Sequence, residues 1–354
     1  MEIRNNCLIS VENKDIVNGN LKEVILPEGL KTIEEYAFKH CPNVQKITIP
    51  STVNKIGKGA FSECKNLIEV NLPQGLEKIE DDAFDECISL TKIIIPSSVK
   101  EIGASVFRRC SSLQQVVLPE GIELIHELLF IGCQRLEKIM IPSSVKIIEY
   151  GAFSECESLK EIQLPKGVIL IGDSVFVSCN NLTRIIMPTN LRRLGKSAFE
   201  YCMSLKEIIL PEGLETLEED TFRNCFKLEK VSIPNNVKII KKNAFFNCVE
   251  LKEITLPNDL KIIDSSAFAR CNIEKLEIPS SVTEIHEGAF NSCHHLKEIT
   301  LPDNLKAIER LTFSGCGLLE KVILPKNLEI IKFESFIYCT SLKKINLPEG
   351  LRRI

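Results

Sequence analysis

Hydrophobic residues recur along this chain with a beat that neither a lone helix nor a lone strand explains. In the segment Leu205-Lys206-Glu207-Ile208-Ile209-Leu210-Pro211, Ile208 and Leu210 alternate with Glu207 and Ile209, the two-residue period of a half-buried strand. Proline closes the segment, because it has no N–H to donate to a continuing ladder. Turn-forming pairs come next, such as Glu28-Gly29, Ser97-Ser98, Asn235-Asn236 and Asp303-Asn304. A second short apolar pair follows, as in Leu214 and Leu217, and then a tight turn or a single helical loop carrying Ala-Phe-x-x-Cys.

The whole pattern repeats. Prolines from Pro27 to Pro257 fall 23 residues apart, the step to Pro279 is 22, and Pro302, Pro325 and Pro348 resume the longer step. Phenylalanine keeps the same beat from Phe38 to Phe336, and cysteine from Cys41 to Cys339, giving fourteen Phe–Cys units. The missing residue falls between Cys271 and Ile273, where other units carry two residues before the Leu. A unit this short cannot bury its apolar positions alone, whereas stacked copies bury them against one another. The pattern therefore predicts a repeat solenoid of about 14 coils of 23 residues, with the Phe file as its packing spine. Residues 1–20 read as a lead-in or cap, and 21–354 as a single elongated domain that stops in mid-repeat.

The spelling Phe-x-x-Cys-x-x-Leu-x-x-Ile-x-Leu/Ile-Pro, preceded by Ile-Gly-x-x-Ala-Phe at Ile56 to Phe61, resembles the BspA-type leucine-rich repeats. These are also described as the Treponema pallidum class of the superfamily. The resemblance covers about residues 21–354. It implies a curved solenoid with a parallel sheet on one face, and non-enzymatic roles in adhesion or host-matrix contact at a cell surface. No functional residue of that family is fixed by a motif. Its surface members carry export signals and anchors that this chain does not display.

A second period of 46 residues runs inside the first. Most odd units read Leu-Pro-x-Gly, from Leu26, Leu72, Leu118, Leu164 and Leu210, and most even ones read Ile-Pro-Ser-Ser or close to it, from Ile49, Ile95, Ile141, Ile233 and Ile278. Charge follows it. Four positions before successive prolines stand Glu23, Lys46, Glu69, Lys92, Gln115, Lys138, Glu161, Arg184, Glu207, Lys230, Glu253, Lys275, Glu298 and Lys321. In an in-register parallel sheet each position stacks on its own copy, so alternating signs turn repulsion into modest attraction and penalise a slip by one coil. Register control on a solvated face is the expected role.

The candidate chemistry is thin. One Cys per coil gives a column with neighbours about 5 Å apart, within reach of a disulfide in distance but with parallel side chains that bridge poorly. Buried free thiols are expected, and they favour a reducing compartment. Cys7 lies off the column and is expected to be exposed. Zinc spacing is absent, and His40, His126, His286, His294 and His295 share no repeat position. Only His294-His295 forms a pair, expected on a solvated turn. Nothing spells a nucleophile elbow, a phosphate loop or a dinucleotide fingerprint, so no catalysis and no cofactor or metal are expected.

The informative column lies two before proline, where an outward strand residue meets solvent. Ile94, Val117 and Met140 make an apolar strip there, nearly continued by Ile186 and Ile209, and contiguous exposed apolar surface marks partner sites. β-propensity alone would also place Ile and Val in strands. With 44% hydrophobic residues, a net charge of -4 and no long apolar run, the composition points away from nucleic acid and from a membrane-spanning helix. Met1 to Asn20 shows no secretory leader. The expected function is binding of a protein or glycan surface, a host or extracellular-matrix protein included, through the extended sheet face. The alternative is an intracellular scaffold that self-associates end to end through open strand edges.

Overall fold

The computed structural model describes the backbone of residues 2–4 and 7–10, and residues 22–354 in full. The chain divides into two compact units, Met1–Leu182 and Thr183–Ile354. Each is a parallel β-solenoid, and together they make about 13 turns of about 23 residues with no helix among the described residues.

Every strand is short. In the first unit the segments before the prolines form three-residue strands, among them Glu23–Ile25, Lys46–Thr48 and Glu69–Asn71, paired in parallel with a shift of one repeat. Their burial alternates as the pattern requires, with the central residue inside and its two neighbours outside. In the second unit Glu207–Ile209 pairs with Lys230–Ser232 and buries Ile208 while exposing Ile209. A second ladder, not resolved as a sheet by the sequence pattern, runs through the later apolar pair. In the first unit Thr32–Ile33, Lys55–Ile56, Lys78–Ile79 and Glu101–Ile102 stack in order. Near the N-terminus, Glu2–Arg4 and Cys7–Ser10 pair antiparallel, and Cys7–Ser10 then lies parallel to Thr32–Ile33. The rest of the expected lead-in, and the side chain of Cys7, lie outside the described residues.

The Ala-Phe-x-x-Cys arc is neither a helix nor a simple turn. Two residues in each arc take left-handed backbone, two before and two after the Phe: Tyr36 (φ 56) and His40 (φ 58) in one coil, Asp220 (φ 57) and Asn224 (φ 60) in another. The left-handed region costs an ordinary residue about 1–2 kcal/mol, so a return has to come from hydrogen bonds. Alternate N–H groups supply it. Those of Tyr36, Phe38 and His40 donate to the carbonyls of Lys58, Ala60 and Ser62 on the next coil at 2.9, 2.7 and 3.0 Å. Those of Lys39 and Cys41 close local turns onto Tyr36 and Phe38 at 3.0 and 3.2 Å. The arc is therefore a third inter-coil ladder, bent to bring the Phe ring inward.

The rings stack. Centroids of successive phenylalanines from Phe38 to Phe176 are 5.1–5.8 Å apart in the first unit, and those from Phe199 to Phe336 are 5.2–5.7 Å apart in the second. Interplanar angles stay at or below 18°. The missing residue after Cys271 does not break the file, since Phe268 and Phe290 still stack at 5.7 Å.

At two coils the 46-residue period is accompanied by a hydrogen bond as well as by charge alternation. Gly29 and Gly121 sit at φ 93 and φ 98, which only glycine adopts without strain. Their N–H groups donate to Thr52 Oγ1 and Ser144 Oγ on the following even coil at 3.1 and 3.0 Å. Ser144 Oγ in turn donates to the Ile122 carbonyl at 2.6 Å, as Ser98 Oγ does to Leu76. Gly75, Gly167 and Gly213 of the same file lack the positive φ, so the glycine N–H bond accompanies the period at Gly29 and Gly121 and not at every Leu-Pro-x-Gly coil. The charge file pairs loosely by comparison: Lys46 Nζ lies 3.8 Å from both Glu23 and Glu69, on solvated side chains.

Candidate functional site

The outward column two before proline is solvent-facing in both units. In the first unit Ile94 and Val117 stand opposite one another on the paired strands Lys92–Ile94 and Gln115–Val117, with 51% and 43% of their surface exposed. Met140 follows on the next coil and is 87% exposed. No strand forms at 138–140, so Met140 extends the apolar strip from backbone outside the ladder. In the second unit Ile186 and Ile209 are 42% and 75% exposed on strands Arg184–Ile186 and Glu207–Ile209. The strip ends there, because the residue in register with Ile209 is Ser232.

The structure also shows a surface feature that the sequence did not single out. On the outward face of the second unit, Lys275, Glu277, Glu298, Thr300, Lys321 and Ile323 line a shallow depression of about 400 Å³. An adjoining one of about 530 Å³ includes Glu253 and Thr255, and no strand forms at 253–255. The charges in it balance one another: Lys275 faces Glu298 in register, and Lys321 lies 4.0 Å from Glu298. The one signal for it in the sequence is the 22-residue step from Pro257 to Pro279, which runs through these coils.

The cysteine column is buried except at the partly exposed Cys339, and its thiols donate to Phe carbonyls of the preceding coil. Cys64 Sγ donates to the Phe38 carbonyl at 3.1 Å, and the same relation recurs at Cys110 to Phe84 and Cys225 to Phe199. Burial disfavours the thiolate, pushing Cys179 and Cys316 up to about 12 and Cys339, nearer the surface, to about 11. Such thiols are poor nucleophiles and poor metal ligands. Among the described residues no cluster of three His, Cys, Asp or Glu is placed to hold a metal, and no helix is long and apolar enough to cross a membrane.

The histidine pair His294-His295 lies on an exposed turn, with Nδ1 atoms 2.8 Å from the Gly315 carbonyl and 3.0 Å from Asn272 Oδ1. The better-connected imidazole is His286. It sits 2.8 Å from Asp264 and 2.9 Å from Glu284, half-buried on the second ladder's flank. Burial alone would lower its pKa, but the hydrogen bonds and charge of both carboxylates hold it above the ordinary value.

A repeating unit that buries Phe, Leu and Cys in files and turns Lys, Glu and a variable residue outward is a family hallmark. The model of the BspA-type leucine-rich repeat region matches in six copies over residues 3–114, 100–229, 169–287 and 261–354. The chain belongs to the BspA-type leucine-rich-repeat family. Among solved structures, a leucine-rich cell surface protein from Faecalibacterium prausnitzii is 28% identical with a TM-score of 0.60, covering 93% of this chain and 92% of that one. A leucine-rich-repeat protein from Bacteroides ovatus is also 28% identical, with a TM-score of 0.62 over 99% and 94%. The pneumococcal vaccine antigen PcpA shares the fold at 20% identity, with a TM-score of 0.53 over 94% and 88%. A search of curated proteins returns no match.

Proposed function

We propose that the protein is a non-enzymatic binding module of the adhesion type, which presents its outward strand residues to a macromolecular partner. The observation that carries this reading is the register of Ile94 on Val117, two exposed aliphatic residues held side by side on a rigid parallel ladder, with Met140 beyond them. Aliphatic side chains kept in water by a scaffold that could place Thr or Asn there, as it does at Thr48 and Asn71, lower the cost of docking a partner. Ile186 and Ile209 form the corresponding patch of the second unit. The description of the similar Faecalibacterium protein as a cell surface protein supports a role in contacts outside the cell. Among the described residues no group of His, Cys, Asp and Glu able to hold a metal competes with this reading.

Solid-phase binding to a panel of extracellular-matrix proteins tests it, with wild type beside an Ile94→Lys/Met140→Lys variant and an Ile186→Lys/Ile209→Lys variant. All four substituted positions face solvent, so circular dichroism should be unchanged. Binding should fall by roughly tenfold or more in at least one variant, and equal binding by all three proteins would remove the strand face as the site.

A further inference from the structure

We propose that the strip in the first unit takes an amphipathic helix of a partner protein whose apolar stripe is flanked by carboxylates; this rests on the binding-module reading above and names the partner's chemistry. The lysines beside the strip carry the argument. In the file four before proline, Lys46 lies 3.8 Å from the carboxylates of both Glu23 and Glu69. The next three members are Lys92, Gln115 and Lys138. Gln115 stands in register with Lys92, where the alternation calls for Glu. Among the described residues neither Lys92 nor Lys138 makes an ion pair, and neither does Glu161, the carboxylate that follows Lys138 in the file. Glu69 is taken by Lys46, Glu137 by Lys160 at 2.9 Å, and Glu120 by the Ser143 hydroxyl at 3.1 Å.

The break in the Glu/Lys alternation and the apolar strip fall on the same three coils. Lys92 and Ile94 belong to one strand and point to the same face, as Gln115 and Val117 do. The second unit supplies a contrast. There Lys230, Glu253, Lys275, Glu298 and Lys321 alternate without a break, and the outward residues beside them are Ser232, Thr255, Glu277, Thr300 and, last, Ile323. That face is mostly polar and its charges alternate in sign, whereas the first is apolar and Gln115 interrupts its alternation between two lysines that make no ion pair.

The chemistry selects among partners. Sugar rings pack on aromatic faces, and this strip offers only Ile, Val and Met. An anionic membrane gains about 1 kcal/mol per basic residue and is held by clusters of 4–8, so two lysines do not suffice. A protein segment with aliphatic side chains and carboxylates meets both features. Two coils separate Lys92 from Lys138 by about 10 Å. Residues seven apart on a helix lie about 10.5 Å apart on one face, with the third and fourth between them turned the same way. The complementary segment is therefore a helix with Glu at i and i+7 around Leu at i+3 and i+4.

Fluorescence anisotropy with a labelled helical peptide of that pattern tests the proposal, beside the same peptide carrying Lys at i and i+7. Wild type should bind the Glu peptide roughly tenfold more tightly than the Lys peptide. Lys92→Glu/Lys138→Glu should reverse the order, and Ile94→Lys/Met140→Lys should weaken the Glu peptide while the fold is retained. Equal binding of both peptides, binding of neither, or an order unchanged by charge reversal would overturn the acidic-helix assignment. If in the same series Ile94→Lys/Met140→Lys still abolished matrix-protein binding, the strand face would stand and only its partner's chemistry would fall.

Discussion

The Cys87 thiol donates to the Phe61 carbonyl oxygen at 3.2 Å, and the same oxygen accepts the Cys64 N–H at 3.2 Å. A carbonyl has two lone pairs, and here both are used inside a dry core by groups on two successive coils. The relation spans 26 residues and recurs through both units, at Cys133 to Phe107 and at Cys248 to Phe222. It survives the short coil, where Cys293 reaches Phe268 across 25 residues at 3.1 Å. Cysteine is thus more than a small apolar filler: Ala would leave a void, and Val would fill the space without a donor. Cys87→Val should destabilise the protein by about 1 kcal/mol, since the carbonyl keeps its backbone partner and loses only the second. Urea denaturation measures this, and an unchanged midpoint would mean that the thiol bond adds nothing.

Thiol reactivity should follow depth in the column. The thiolate is the nucleophile, and burial holds Cys87, Cys133 and Cys156 far from ionisation, while Cys339 is only partly buried and is pushed up to about 11. With native protein and a thiol-specific alkylating reagent at mildly alkaline pH, Cys339 should be modified before any of Cys64 to Cys316. Peptide mapping of briefly labelled protein reads the order. Early modification of a mid-column residue such as Cys156 would show that the coils open locally far from the end.

Gly57 tests how closely the coils approach. A Cβ placed there would lie 2.7 Å from the Glu35 nitrogen, 2.8 Å from the Glu34 carbonyl carbon and 2.9 Å from the Ile33 oxygen, all backbone atoms of the preceding coil. Gly103 and Gly172 in the same column meet backbone at 2.6–2.9 Å in the same way, while other coils carry Glu80 or His126 there. Gly57→Ala should cost about 1–3 kcal/mol, the usual penalty of overpacking against groups that cannot rotate away. Gly75→Ala is the control, with its one close contact at 3.2 Å. If both variants melt together with wild type, the two coils are less tightly joined than the contacts imply.

Periodicity made most of the fold legible and little of its hydrogen bonding. Phe199 and Cys202 are wholly buried, Ile208 and Leu210 point inward and Ile209 outward, all as their spacing requires. The left-handed pairs left only a partial signal, with Gly59, Asp82, Asn243 and Gly288 at some of these positions but Leu128, Leu311 and Tyr36 at others. The thiol bond was hidden because both of its partners read as plain apolar residues, and the 26-residue offset belongs to the stacking rather than to any one coil. The apolar outward residues were legible by column. Whether a ladder forms beneath them was not: 138–140 and 115–117 have the same pattern, and only the latter is a strand. Lys92 and Lys138 stood in plain view beside Gln115, but their lack of partners needed the positions of Glu69, Glu120 and Glu137.

The Asp264–His286 pair should make stability depend on pH near neutrality. The folded pKa of His286 is raised: burial opposes its charge, and the carboxylates of Asp264 and Glu284 at 2.8 and 2.9 Å outweigh that effect. A raised folded pKa means that the stabilisation is fully present below the unfolded value of about 6.5 and is lost as pH rises through the folded one. For Asp264 burial raises the pKa, but the hydrogen bonds from His286 and Ser265 outweigh it and lower it overall, so its share is lost as pH falls through the folded value. The pair therefore contributes most between roughly pH 4 and 6.5. His286→Asn keeps a polar side chain and removes the titration. The gap in urea midpoint between wild type and His286→Asn should be widest near pH 5.5 and narrow by pH 8.5, and other groups that titrate in both proteins cancel in the difference. A gap that stayed constant across that range, or widened with rising pH, would show that the imidazolium is not what the two carboxylates hold.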